Sequence, residues 1–297
     1  MKIGIQLPEV ERVARWPELE EMARAIEAGG FDSIWVGDHL LYRTESDERG
    51  PWEAWTQLAA IAAVTRRVEI GPLVAALPFH EPAMLAKMAS TVDEISGGRL
   101  VFGIGAGWNR TEFDAFGIPY QRRVDRFSDS FEIIRRLMGG ESVTWDSEFS
   151  RLDRCVLLPS SRRPGPPPFM VGSNGPRMLS LTLPYVQSWN SWFTAFDNDP
   201  DRLPELLRRI DDACELAGRD PGSVERTVAL LIELDGALGR SGADVSPIAG
   251  SDAEIVAALD RVAKAGISHV QLVLDPITLV SIERMTSILE SYRSRPR

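Results

Sequence analysis

Apolar positions along the chain fall into short runs that alternate with stretches of helical spacing. Residues 2–7, KIGIQL, read as a buried strand that Pro8 stops. Leu19, Met22, Ala23 and Ile26 then recur at the spacing of one helix face, and Gly29-Gly30 close that helix. Residues 33–37, SIWVG, are a second strand, rich in β-branched and aromatic types, followed by a loop that ends near Pro51. Residues 52–64 carry an alanine-rich helical pattern. Residues 68–74, VEIGPLV, read as the third strand, and Pro82 suits the first turn of the next helix. Leu85, Met88, Ala89, Val92 and Ile95 mark its face, and Gly97-Gly98 end it. Residues 100–104, LVFGI, are the fourth strand, with the turn GAG at 105–107 behind it.

The second half repeats the rhythm after an interruption. Residues 121–138 predict a charged amphipathic helix with Phe127, Phe131, Ile134 and Leu137 on one face. Residues 139–167 hold short strand-like pieces, SVTW and CVLL, and the basic, Pro-rich SSRRPGPPP; they read as an insertion. Strands follow at 168–172, PFMVG, and 186–193, VQSWNSWF, then a helix over 201–217 and a long strand over 225–234. Ser251 with Glu254 has capping-box spacing and opens a helix that Gly266 ends. Residues 268–274, SHVQLVL, are the last strand, and Pro276 is expected to begin the last helix, with Ile282, Met285 and Leu289 buried.

About eight strand-then-helix units imply parallel strands with crossover helices. An open dinucleotide-binding sheet calls for G-x-G-x-x-G after its first strand, and this chain has PEVERVARW there. The expected fold is therefore α/β, a (β/α)8 TIM barrel, formed as one domain over 1–297 with an insertion at about 139–167. Its 297 residues suit a barrel that needs roughly 250.

Composition narrows the partners. The formal net charge of -10 argues against nucleic acid or an anionic membrane surface, both of which call for clustered Lys and Arg. A small-molecule substrate is left. Cys155 and Cys214 form no CxxC pair, which fits reduced thiols in a cytoplasm. No apolar run approaches the roughly 20 residues of a membrane span, and MKIGIQLPEV reads as a strand rather than a signal peptide.

TIM barrels carry their sites at the C-terminal ends of the strands. That rule selects Asp38-His39, Leu73-Val74, Gly105 to Trp108, Gly172 to Gly175 and Trp189-Asn190. Of three histidines, only His39 follows a strand directly and sits beside a carboxylate, Asp38. Imidazole titrates near neutrality and suits a proton transfer coupled to hydride chemistry, although a loop histidine bonded to backbone is an equal reading. His269 reads as a core or pore-facing residue, and His80 as a loop residue. The glycines at 103, 105 and 107 let a strand meet its helix, or let a flat ring approach the backbone. VGSNGPR at 171–177 offers N–H groups at a helix start, with Arg177 adding charge, or is an ordinary turn. Of the eight tryptophans, Trp108 alone sits at a strand-end turn, where it would wall a substrate pocket. Arg162 and Arg163 read as a solvated pair, or as partners for an acidic cofactor tail or another subunit. No metal-ligand cluster is apparent.

These residues resemble a known family. SGGRLVFGIGAGW at 96–108, preceded by LAKMASTVDEI, is similar to the luciferase-like monooxygenase superfamily. MKIGIQLP, GFDSIWVGDHL at 30–40, IGPLVAALPFHEP at 70–82 and PPPFMVGSNGPRMLSL at 167–181 extend the resemblance to about residue 195. The strand-end Asp-His and the VGSNG turn resemble the branch that uses the deazaflavin coenzyme F420. The resemblance implies a deazaflavin across the C-terminal end of the barrel, Asp38 contacting it and His39 as the acid–base group. It implies a non-proline cis peptide at Leu73-Val74 backing the ring, with Gly105, Ala106 and Gly107 near it. Phosphate would lie at Gly172, Ser173, Asn174, Gly175 and Arg177, with Ser173 replacing the second glycine of the family's usual pair. Trp108 stands where the sugar-phosphate dehydrogenases of the branch have an acidic glutamate, so a flatter or more apolar substrate is expected. A homodimer is implied as well. The resulting expectation is an F420-dependent oxidoreductase, with an FMN-dependent monooxygenase and a non-catalytic flavin-binding protein as alternatives. An unrelated barrel lyase or hydrolase would call for paired carboxylates or a metal cluster at strand ends.

Overall fold

The computed structural model describes residues 1–43, 47–161, 163–237 and 245–295. Its contacts divide the chain into two compact units, Met1–Trp35 with Val171–Arg297, and Val36–Met170.

The chain opens with β1 (Lys2–Gln6), α1 (Trp16–Ala28) and β2 (Ser33–Val36). Leu19, Met22, Ala23 and Ile26 of α1 are all buried, as their spacing requires.

The unit Val36–Met170 begins with a feature that apolar periodicity does not reveal. β3 (Tyr42–Arg43) and β4 (Glu48–Arg49) form an antiparallel hairpin with Tyr42 opposite Arg49. Both strands are polar and half-buried or exposed. In α2 (Ala54–Val64) the Glu53 carboxylate accepts from the free N–H groups of Trp55 and Thr56 at 2.9 and 2.7 Å. The third expected strand is split into β5 (Glu69–Pro72) and β6 (Ala75–Ala76) by Leu73–Val74, whose peptide is cis. α3 (Pro82–Ser96) ends at Gly97 in the left-handed conformation, φ 69°. β7 (Phe102–Gly105) runs parallel to β6, with Ala75 opposite Ile104. A side chain at Gly103 would strike the Pro72 carbonyl oxygen, so glycine there is a packing requirement. α4 (Arg110–Ala115) and α5 (Arg123–Met138) follow, and Phe127, Phe131, Ile134 and Leu137 of α5 are buried. The expected insertion contains β8 (Val143–Asp146) and β9 (Arg151–Cys155), paired antiparallel; CVLL contributes only its cysteine. Arg163 bonds Asp93 at 3.2 Å and the Gly98 carbonyl, so it is part of this unit's structure rather than a solvated side chain. Arg162 lies outside the described residues.

The chain continues with β10 (Phe169–Gly172), α6 (Pro176–Thr182), β11 (Ser188–Ser191), α7 (Leu203–Leu216), β12 (Glu225–Glu233), α8 (Asp252–Lys264), β13 (His269–Asp275) and α9 (Leu279–Arg293). Within the unit formed by the two chain ends, β1 lies between β2 and β13, and β12 between β13 and β11, every pair parallel. β13 is buried along its whole length, as a central parallel strand covered on both faces should be. Glu254 accepts from the Ser251 N–H at 2.7 Å, and the expected capping box is present at the start of α8. α9 begins three residues later than Pro276 suggests. The Thr278 hydroxyl accepts from the Ser281 N–H at 3.1 Å and fixes the helix start there. Cys155 and Cys214 are both free thiols.

Candidate functional site

In the unit Val36–Met170 the chain leaves β2 and places Asp38 and His39 side by side. They do not form one pair; each reaches a different partner. The Asp38 Oδ2 accepts from the Ala76 N–H at 2.9 Å and lies 2.9 Å from His80 Nε2. Asp38 is 4% exposed, so these donors are what allow its charge to be buried. Burial pulls the His80 pKa down, but the hydrogen bond to Asp38 and the charges of Asp38 and Glu53 outweigh it. His80 therefore titrates above the ordinary histidine value.

His39 turns toward α4. Its Nδ1 lies 3.0 and 3.1 Å from the two carboxylate oxygens of Glu112. Glu112 is 1% exposed, and its Oε1 also accepts from Leu40 and Leu41 N–H at 2.7 and 3.2 Å. The other ring nitrogen, Nε2, is 3.0 Å from the Tyr42 hydroxyl. Trp108, largely exposed, stands edge-on to both rings, with centroids 5.9 Å from His39 and 6.1 Å from Tyr42. The expected pocket wall therefore sits beside the expected acid–base group.

Sequence reasoning missed Glu112, Tyr42 and the part His80 plays. A signal for Glu112 was present. Asn109 caps α4 through its side chain, accepting from the Thr111 N–H at 3.2 Å, and Glu112 follows at capping-box spacing. Such a glutamate normally turns back to its own cap; here it turns to the loop after β2. Asn109 Nδ2 also donates to the Leu41 carbonyl at 3.1 Å, so the first turn of α4 holds that loop at four points.

Behind this cluster, Leu73–Val74 has the non-proline cis geometry that the resemblance implied. Gly105 ends β7 opposite Ala76, and Ala106 follows it. Gly107 has φ +70°, and a side chain there would press into the Phe113 ring, so its glycine serves the turn and the packing below it.

The other unit carries the loop after β10. Trp189 Nε1 donates to the Ser173 carbonyl at 2.9 Å, and Ser173 Oγ accepts from the Gly175 N–H at 3.3 Å. Ser173 is absent from the left-handed region, so serine fits where the family has glycine. Asn174 Nδ2 donates to Ser191 Oγ at 3.0 Å, leaving its buried Oδ1 without a partner. A hydroxyl donates as readily as it accepts, so the Asn174 amide can offer either end to a ligand. Gly172 is half-buried, and Arg177 is exposed on α6. Asn190 is a core residue, donating to Thr227 Oγ1 at 2.9 Å and Gln271 Oε1 at 2.7 Å. His269 is also interior, 2.7 Å from Ser33 Oγ; burial, then the charges of Lys2 and the chain's amino group, push its pKa down to about 3, so it stays neutral.

Among the described residues no cluster of His, Cys, Asp and Glu is placed to hold a metal ion, and no helix is long and apolar enough to cross a membrane.

With this geometry in view, comparison with known proteins defines the class. The luciferase-like monooxygenase pattern matches residues 1–235, and the chain belongs to that family, one of oxidoreductases and monooxygenases. A 5,10-methylenetetrahydromethanopterin reductase of Archaeoglobus fulgidus is 35% identical over 183 residues, 61% of this chain and 50% of the relative, so the match spans half of that protein's length. An F420-dependent secondary alcohol dehydrogenase, solved in complex with an F420-acetone adduct, superposes with a TM-score of 0.82 at 19% identity, covering 99% of both chains. The oxygenating constituent of 3,6-diketocamphane monooxygenase from Pseudomonas putida, a type II Baeyer-Villiger monooxygenase in complex with FMN, gives 0.75 at 17% identity over 96% of both. The fold is thus the α/β TIM barrel of the luciferase-like proteins.

Proposed function

We propose that this chain is an F420-dependent oxidoreductase that moves a hydride between the deazaflavin and a small organic substrate, with His39 governing the accompanying proton. The observation that carries the reading is the Glu112–His39 pair at the end of β2. The Glu112 carboxylate accepts from two backbone N–H groups, those of Leu40 and Leu41. As an acceptor only, it requires the proton of neutral His39 to sit on Nδ1. Nε2 is then the atom that takes up or releases a proton, and the ring cannot turn without losing its partner.

The residues suit a flavin-type group on their own chemistry. Asp38 and the Gly105–Gly107 turn present one carboxylate and backbone groups, the kind of surface a flat ring can approach. The Asn174 amide, with one buried atom unpartnered, suits a polar phosphate or hydroxyl, and we assign the loop Gly172–Arg177 that role separately. The cofactor supplies hydride chemistry; the protein's part is to orient it, to wall off water with Trp108, and to hold the proton at His39. An FMN monooxygenase is the second reading, favoured by the FMN complex of the diketocamphane enzyme on the same fold.

The test is steady-state oxidation of reduced F420 by acetone, cyclohexanone and cyclohexenone, comparing the natural protein with His39→Ala. General acid–base groups contribute about 10²–10⁴-fold. Turnover should fall by at least about 100-fold while F420 affinity changes less than about threefold. Equal turnover in the variant removes His39 from the reaction.

A further inference from the structure

We propose that the group touching the substrate oxygen is the Tyr42 hydroxyl, and that Glu112, His39 and Tyr42 form a proton relay. This inference rests on the hydride-transfer reading above. Glu112 fixes the His39 proton on Nδ1, which leaves Nε2 with a lone pair. That lone pair does not face open space; the Tyr42 hydroxyl stands 3.0 Å from it. In neutral His39, Nε2 accepts, so Tyr42 donates to it. In the imidazolium, Nε2–H donates to Tyr42, whose own O–H is released to donate outward. Either protonation state gives a continuous chain without turning a side chain. A histidine acting directly would have to displace the tyrosine first.

The position of Tyr42 is controlled as closely as that of His39. Glu112 holds the N–H groups of Leu40 and Leu41, Asn109 holds the Leu41 carbonyl at 3.1 Å, and the Tyr42 backbone is paired with Arg49 in the hairpin. The Tyr42 ring meets His39 edge-on at 4.7 Å and Trp108 at 6.1 Å. Tyr42 is half-buried, so it has access to a ligand that the fully buried Glu112 lacks. Glu112 is therefore a positioning residue and Tyr42 a catalytic one.

The step balances for a secondary alcohol and its ketone. On oxidation the alcohol O–H proton passes to Tyr42 Oη as the Tyr42 proton passes to His39 Nε2, which leaves an imidazolium against Glu112. The carbinol C–H bond would break with its electron pair leaving as hydride, for which a bound oxidised deazaflavin would be the acceptor, and the C=O bond would form. Ketone reduction reverses each transfer.

Three full-length variants, Tyr42→Phe, Glu112→Gln and His39→Ala, separate the relay from the reading beneath it. With reduced F420 and the three carbonyl probes, Tyr42→Phe should lower kcat by at least about 100-fold with KM within about threefold, and an unchanged melting temperature should show that its ring packing is kept. Glu112→Gln should move the pH–rate profile to lower pH. If Tyr42→Phe keeps kcat within about threefold while His39→Ala is inactive, the relay falls and the reading stands. If both variants turn over like the natural protein, both fall. Nitrogen-15 NMR of His39 in cofactor-free protein decides the relay even where no probe reacts. Nδ1–H in the natural protein and a displaced Nε2 signal in Tyr42→Phe support it; an Nε2–H form, or an unmoved signal, overturns it.

Discussion

At the scale of single residues, adjacency in sequence proved a poor guide to pairing. Asp38 and His39 are neighbours, and the position of both at a strand end was legible from the apolar run SIWVG. Their partners were not. His80 lies 42 residues beyond Asp38, and Glu112 lies 73 beyond His39. No local pattern encodes a hydrogen bond formed when separate loops converge. The Asp38–His80 pair makes a prediction about pH. The His80 pKa is raised in the folded protein, so its contribution to stability is fully present below the unfolded histidine value and is lost as pH rises through the raised value. The melting-temperature gap between the natural protein and His80→Gln should be largest near about pH 6 and shrink toward about pH 8.5. A gap that grows with pH contradicts the ion pair.

At the scale of elements, strong periodicity was readable and exposed polar structure was not. The faces of α1, α3 and α5 follow from residues such as Leu19, Leu85 and Phe127, all fully buried or nearly so, but Ile95, read as part of the α3 face, is exposed because it lies off the side that Leu85, Ala89 and Val92 bury. The β3–β4 hairpin has no apolar alternation to announce it, yet it delivers Tyr42. α4 is six residues long, too short for a periodic signal, yet it delivers Glu112. The third strand read as continuous because VEIGPLV is apolar throughout, and only the family resemblance marked Leu73–Val74 as a break. Close packing between β7 and the end of β5 yields a prediction that involves no ligand. Gly103→Ala pushes a methyl into the Pro72 carbonyl, which is backbone and cannot swing aside. Overpacking of this kind costs about 1–3 kcal/mol or more, read as a lower urea midpoint with an unchanged slope. An unchanged midpoint would mean that the two strands are less tightly apposed than described.

At the scale of the whole molecule, the alternation of strands and helices implied parallel α/β structure, and about eight units with no G-x-G-x-x-G after the first strand pointed to a barrel. The motif from 85 to 108 was enough to name the family, which the match over residues 1–235 establishes. The cofactor is where fold stops informing, since one barrel carries both F420 and FMN chemistry in its solved relatives. The formal charge of -10 does not choose between them, because both ligands are anionic and local N–H donors decide their binding. The most direct measurement is therefore a parallel fluorescence titration of purified, cofactor-free protein with F420 and with FMN. Saturable binding of F420 at least about tenfold tighter than FMN, a difference of about 1.4 kcal/mol, is the predicted result. Preference for FMN would contradict the assignment of a deazaflavin hydride-transfer enzyme and point to dioxygen chemistry on the same residues.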